Sequence, residues 1–147
     1  MNAIGRPRNS QMTRRAQPDD LEAVEAIQTA SPEAARWPAG DYLAHEFTIA
    51  IYDGAVAGFL VWRSVDDGEC EVLNLAIAPE FRRRGLAREL LKPLLNLRNT
   101  RVFLEVRESN RGARMFYKSM GFQEVSIRQK YYEMPCESAI VMKFHSC

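Results

Sequence analysis

Pro79-Glu80-Phe81-Arg82-Arg83-Arg84-Gly85-Leu86-Ala87 decides how this chain is read, because there an extended apolar run gives way to a helical one. The run before it, Glu71–Ala78, has the composition of a strand closed by Pro79. After Gly85, Leu86, Leu90 and Leu94 recur on one stripe with Leu91 and Leu95 beside it, which is amphipathic helix spacing. The first turn of such a helix leaves backbone N–H groups unpaired, and the helix dipole places partial positive charge there. Gly85 and Ala87 keep side-chain bulk off that turn, and the arginines add charge and forked donors, so a phosphate can come close to the backbone. The turn lacks the Gly-Lys-Ser/Thr of a Walker loop and the three glycines of a dinucleotide turn. Taken alone it reads equally well as a solvated basic turn. Nucleic-acid contact through the arginines is a weaker alternative, since no aromatic residues interleave with them.

Working outward, the chain reads β α α β β β α β α β β. Met12–Ala16 is a short strand. Pro18-Asp19-Asp20 opens a helix carrying Leu21, Val24 and Ile27, which Ser31-Pro32 ends. A second short helix is expected between Trp37 and Phe47. Phe47–Tyr52 and Ala57–Val65 are strands joined by Asp53-Gly54, a hairpin signal, and Asp66-Asp67-Gly68 turns into Glu71–Ala78. Pro93 lies inside the leucine stripe and should kink or limit that helix. Val102–Arg107 is a strand. Asn110–Met120 is a helix with Ser109 or Asn110 as N-cap and Gly121 just past its end. Strands Phe122–Arg128 and Ser138–Phe144 flank a loop, Gln129–Glu137. This order predicts an α/β fold: a single mixed, mostly antiparallel sheet with helices on both faces.

The 147 residues fit one domain, residues 12–147, preceded by a polar stretch, 1–11, expected to be disordered. Met12 is an alternative start. A formal net charge of +1 gives no global attraction to nucleic acid or an anionic membrane. The three cysteines, Cys70, Cys136 and Cys147, show neither metal-ligand spacing nor an even count for disulfides. No secretory h-region and no span-length apolar run is present. A soluble cytoplasmic protein, monomeric or weakly oligomeric and without a metal, is the expectation.

The arginine turn gains meaning from its company. Arg82-x-x-Gly85-x-Ala87 resembles the Q/R-x-x-G-x-G/A signature of the GNAT acetyltransferase superfamily, and the element order is that fold's order. Leu73-Asn74-Leu75-Ala76-Ile77, Leu104-Glu105-Val106-Arg107-Glu108-Ser109-Asn110 and Phe116-Tyr117-Lys118-Ser119-Met120-Gly121-Phe122 look like successive motifs of the RimI family. So do Arg128-x-x-Tyr131-Tyr132 and Ala139-Ile140-Val141-Met142. That family acetylates the N-terminal alanine of a small-subunit ribosomal protein. The likeness runs from about Met12 to Phe144. Two departures stand out: the Ala87–Val102 segment looks about a helical turn short, and Ser138, preceded by Glu137, replaces an acidic residue.

The resemblance implies acetyl-CoA as co-substrate. Its pyrophosphate would lie on the amides and side chains of Arg82, Arg83, Arg84, Gly85, Leu86, Ala87 and Arg88. Backbone groups of Leu75 and Ile77 and the Asn110 side chain would meet the pantetheine arm, where the superfamily's sheet splays. Glu105 alternates away from Leu104 and Val106; it matches the family's general base, and an ion pair with a nearby arginine is the other reading. An α-amine, with a pKa of about 8, needs only modest help, whereas a lysine near 10.4 needs far more. Tyr117 matches the general acid; otherwise it is a packed core tyrosine. Full proton transfer from a phenol to a thiolate is uphill by about 2 kcal/mol, but hydrogen-bond donation still lowers the barrier. Glu71, at the start of the strand that carries Leu75 and Ile77, is the runner-up base and is counted with the substrate-binding residues, since some members of the superfamily place a catalytic carboxylate on that strand. Tyr131 and Tyr132 are expected to hold the acceptor's first residues, with Trp37 and Tyr42 walling the opposite side. His45 and His145 receive no role.

The acceptor is therefore expected to be a protein N-terminus, with a small-molecule amine, a lysine, or a non-catalytic acyl-CoA sensor as alternatives.

Overall fold

The computed structural model describes residues 11–32, 37–133 and 136–145. Residues 1–10 of the expected disordered stretch and Cys147 lie outside these, while Gln11 opens the first strand.

Seven strands form one sheet in the order β1-β2-β3-β4-β5-β7-β6. They are β1 Gln11–Arg15, β2 Glu46–Tyr52, β3 Ala55–Asp66, β4 Glu69–Ile77, β5 Arg101–Arg107, β6 Gln123–Glu133 and β7 Cys136–His145. β1–β2, β2–β3, β5–β7 and β6–β7 pair antiparallel, and β4 pairs parallel with β5 through Glu69–Glu71 against Arg101–Phe103. The helices are α1 Leu21–Thr29, α2 Leu86–Leu95 and α3 Arg111–Ser119. The segment expected to hold a second short helix does so as a 3-10 helix, Ala39–Ala44, following Pro38.

The β2–β3 hairpin turns at Asp53 and Gly54, both with positive φ (50° and 83°), as a two-residue turn between twisted strands requires. Pro93 does not break α2. It is the third-last residue, so its missing N–H falls in the last turn, and the helix stops at Leu95.

One expected loop is a strand. Residues 129–137 were predicted to be irregular, yet β6 continues through Tyr131 and Tyr132, with Tyr132 opposite Glu137 and Glu133 opposite Cys136. Consecutive tyrosines favour extended backbone, and a register shift between Arg128 and Tyr132 absorbs the mismatch.

The chain clusters into two compact units, Met1–Trp62 with Asn74–Lys92, and Arg63–Leu73 with Pro93–Cys147. In the first, Phe47 and Phe59 meet Tyr42 at ring distances of 5.5 and 5.8 Å, and Val24 and Ile27 of α1 are buried. Leu86, Leu90 and Leu91 bury the α2 stripe. Truncating fully buried Leu91 to Ala would cost about 2–5 kcal/mol. Arg14 of β1 forks onto buried Asp20 before α1 (2.8 and 3.0 Å) and holds that carboxyl below the usual range. In the second unit, Val102, Leu104 and Val106 of β5 are buried with Ile140 and Met142 of β7.

Candidate active site

The arginine loop belongs to the first unit. Its backbone carries two left-handed residues, Arg83 (φ 63°) and Gly85 (φ 78°). An arginine rarely adopts that conformation, so the turn is locally strained at Arg83. Alternation of this kind turns backbone N–H groups into an anion-binding concavity. The first intrahelical bond runs from the Glu89 N–H to the Gly85 carbonyl (3.0 Å), so the N–H groups of Leu86, Ala87 and Arg88 have no intrahelical partner. A Cβ placed on Gly85 would meet nothing within 4 Å, so the approach is open.

The arginines divide by job. Arg82, itself exposed, folds back onto the chain, donating to the Ile77 carbonyl (3.1 Å) and to Ser31 Oγ (3.2 Å), and so braces the loop against the end of β4. Arg84 donates to the Tyr52 hydroxyl (3.1 Å) and lies over its ring. Among the described residues, Arg83 and Arg88 have no hydrogen-bond or ion-pair partner, and both are exposed. They are the cations left for an anion.

Trp37 and Tyr42 behave differently from each other. The Trp37 side chain is 57% exposed, but Tyr42 is buried at 2%, which corrects its expected place in a wall: its ring is core.

The carboxylates belong to the second unit. β5 alternates buried and half-buried, so Glu105 and Phe103 share the face opposite Leu104 and Val106, as expected. Register extends the row: Glu105 stands opposite Val141, and Val141 opposite Ser126. In the next row are Arg107, Ala139 and Arg128. Arg128 thus reaches diagonally across β7, and its guanidinium contacts Glu105 Oε1 at 2.5 Å. The ion-pair reading of Glu105 is realised. Glu71, opposite Phe103 on the same face, accepts two bonds from Arg63 (3.0 and 2.8 Å).

The tyrosine pair lies on this part of the sheet. Arg128 covers the Tyr131 ring and Arg107 the Tyr132 ring, each at 4.2 Å. Arg107 is anchored by Glu137 (3.2 Å), which also accepts from the Ser109 N–H (3.0 Å) and hydroxyl (3.1 Å). These contacts hold the Glu137 carboxyl below its usual range, the Ser109 backbone bond being the largest cause. Burial pushes the Tyr132 phenol up to about 12. Nothing in the sequence marks Arg128 and Glu137 as partners in this cluster. Arg128 stood inside a quoted motif, but only register shows that it reaches Glu105.

Tyr117 is buried at 6% on α3, with its ring against Phe116 and Phe122 (both 5.3 Å). Phe122 meets Phe144, whose strand partner is Val102, so this cluster is on the β5 face opposite Glu105. Among the described residues the Tyr117 hydroxyl has no hydrogen-bond partner, and burial alone raises its pKa. A buried, unpaired hydroxyl is costly unless a ligand completes it. Asn110 caps α3, accepting from the Ala113 N–H (3.1 Å), which leaves its amide N–H groups available. The structure does not bring Tyr117 and Glu105 together.

A hollow of about 480 Å³ lined by Asp67, Gly68, Asn99, Arg101 and His145 contains none of the expected site residues. Among the described residues no group of three or more His, Cys, Asp or Glu could hold a metal, and no helix is long and apolar enough to cross a membrane.

A seven-stranded mixed sheet, an arginine loop strained at a helix start and a carboxylate on β5 define the acetyltransferase class. The chain belongs to the Acetyltransferase (GNAT) family, whose pattern matches residues 11–122. It is similar to the [Ribosomal protein bS18]-alanine N-acetyltransferase of Salmonella typhimurium, 42% identical over 96 residues, covering 61% of this chain and 64% of that protein. The matched segment therefore spans slightly under two thirds of that relative's length. Among solved structures, it resembles the ribosomal-protein-S18-alanine N-acetyltransferase of Escherichia coli (TM-score 0.77, 28% identity, 94% of this chain and 96% of that one). It also resembles Ard1 from Thermoplasma volcanium (TM-score 0.85, 29% identity, 93% and 98%).

Proposed function

We propose that this protein transfers acetyl from acetyl-CoA directly to the N-terminal α-amine of a protein, the N-terminal alanine of a small-subunit ribosomal protein being the favoured acceptor. The observation that carries the reading is the shared sheet region of Glu105, Tyr131 and Tyr132: a carboxylate for an ammonium beside two braced aromatic rings for a peptide backbone. The names and structures of the relatives support the same acceptor class.

The residues fit the co-substrate. The Leu86–Arg88 amides, with Arg83 and Arg88, suit a pyrophosphate. Leu75 and Ile77 offer backbone groups to amides as an added strand would. Glu105, directly or through a water, takes the proton of the attacking amine. The amine nitrogen bonds to the thioester carbonyl carbon and the C–S bond breaks; Tyr117, on the other face of β5 from Glu105, is assigned the separate job of donating a hydrogen bond to the departing sulfur. Burial keeps that phenol protonated throughout the working pH range. No covalent enzyme intermediate is needed.

Incubation with acetyl-CoA and a panel of N-terminal peptides, read by mass spectrometry, tests this. Acetylation confined to lysine or small-molecule amines would overturn the acceptor. Cofactor binding with no turnover on any amine would point to the sensor alternative.

A further inference from the structure

Within the second unit, one carboxylate joins an aromatic ring on β6 to the start of α3. Glu137 of β7 stands opposite Tyr132 of β6. Its Oε1 accepts from Arg107 Nη1 (3.2 Å) and from the Ser109 hydroxyl (3.1 Å), and its Oε2 accepts from the Ser109 N–H (3.0 Å). The Arg107 guanidinium lies 4.2 Å from the centre of the Tyr132 ring, and that ring meets Tyr131 edge-on at 5.1 Å. Arg107 shares the β5 face of Glu105. Ala139 stands opposite both Arg107 and Arg128, so only a methyl group separates the two arginines in their row.

The two tyrosines are held differently. The Arg107 and Glu137 side chains are 18% and 17% exposed, whereas the Arg128 that covers Tyr131 is 54% exposed. Water and salt screen a largely buried pair less than an exposed one, and taking away one of its charges disturbs the other more. Glu137→Gln therefore weakens what keeps Arg107 on the ring. A ring fixed before the acceptor arrives costs less to order on binding. The start of α3 has other supports: Asn110 accepts from the Ala113 N–H (3.1 Å), and its own N–H donates to the Arg107 carbonyl (2.9 Å). The Glu108 N–H donates to the Ser138 carbonyl (3.0 Å).

We propose that Glu137 is a positioning residue: through Arg107 it fixes the Tyr132 ring on which the first residues of the acceptor peptide lie. This rests on the N-terminal acceptor proposed above. Glu137 acts through Arg107, not on the reacting atoms, so loss of its charge weakens the acceptor and leaves acetyl-CoA binding close to the parent's.

The test uses the full chain and a peptide beginning with alanine. Glu137→Gln should raise the peptide KM about fivefold, the size of one lost cation–π contact, and leave the acetyl-CoA KM within about twofold. In a Tyr132→Leu background, where the ring is gone, the same substitution should change the peptide KM by less than about twofold. Fluorine NMR of the chain labelled with fluorotyrosine reads the ring itself, the Tyr132 signal being the one lost in Tyr132→Phe. Glu137→Gln should move that signal. Arg107→Lys, which keeps the charge but lacks the planar fork, serves if Glu137→Gln does not fold, and should give the same pattern. An unchanged peptide KM in a folded variant, both KM values rising together, or an equal loss with and without the Tyr132 ring overturns the proposal. Peptide acetylation with an unmoved Tyr132 signal also overturns it while leaving the proposed function standing. A moved signal in a protein that acetylates only lysine or small amines overturns the acceptor and keeps Glu137 as the brace of Tyr132.

Discussion

Arg128 and Glu105 are paired across an intervening strand: Nη1 on β6 meets Oε1 on β5 at 2.5 Å, with β7 between them. The carboxylate proposed to receive the acceptor's ammonium therefore already holds a cation. Arg128 is 54% exposed, and its other visible contact is the Tyr131 ring. Tyr132 is braced more firmly, by an Arg107 that is 18% exposed and bound to Glu137. Arg128 is the movable partner of the two.

Competition for one carboxylate gives the first prediction. Half-exposed pairs are weak, so an arriving ammonium displaces Arg128 at small cost. Arg128→Gln should lower the peptide KM roughly two- to fivefold with kcat kept. Steady-state kinetics check this, and a raised peptide KM would make Arg128 a ligand of the acceptor instead.

Glu105→Gln should act through pH. An α-amine with a pKa of about 8 is mostly protonated at pH 6–7 and mostly neutral by about pH 9. Loss of the base should therefore cut turnover strongly at the low end and progressively less above about pH 8. A pH–rate profile of parent and variant measures it. A loss of equal size at every pH would assign Glu105 to the Arg128 pair alone.

Tyr117→Phe should separate activity from stability. Removing the phenolic donor should lower kcat by about 10²-fold. Among the described residues the buried hydroxyl has no partner, so its removal should leave stability unchanged or raise it by about 1 kcal/mol. The sign with pH follows from a phenol raised in the folded state. Its contribution is fully present below the unfolded value of about 10 and is lost as pH climbs beyond that. The parent should lose stability above about pH 10 more steeply than the variant, as thermal unfolding between pH 8 and 11 would show.

Gly58 supplies a backbone prediction. A Cβ there would lie 2.4 Å from Ile77 Cδ1 and 2.8 Å from the Ala76 carbonyl oxygen, so Gly58→Ala must displace β4 as well as a flexible methyl. Stability should fall by about 1–3 kcal/mol. Because the displaced residues adjoin the backbone groups assigned to pantetheine, the acetyl-CoA KM should rise. Thermal unfolding and cofactor titration read both effects.

Local signals carried much of the fold. Asp53-Gly54 and the alternation of β5 are properties of neighbouring residues, and each element they marked is present. Asn110 was one of two expected caps, and its side chain makes the bond. The misses depend on distant pairing. Tyr131 and Tyr132 looked like loop residues because strand Cys136–His145 is what extends β6, and that pairing is not encoded nearby. Tyr42 looked like a wall because an aromatic near Trp37 has no local mark of burial; it is buried among Gln28 and Asn74, which bond to it from 14 and 32 residues away. Arg82 was assigned through its place in the Arg82-x-x-Gly85-x-Ala87 motif; its bonds to the Ile77 carbonyl and Ser31 Oγ, which join residues 5 and 51 positions away, depend on the folded chain.

The central claim is direct acetylation of a protein N-terminal amine. The most direct measurement is mass spectrometry of an equimolar mixture of acetyl-CoA with two peptides of identical sequence, both beginning with alanine and containing one internal lysine. One peptide has a free α-amine, and the other has that amine blocked. The account predicts a single acetyl group on the alanine nitrogen of the free peptide and none on the blocked one. Acetylated lysine in both peptides, with the alanine amine untouched, would contradict it.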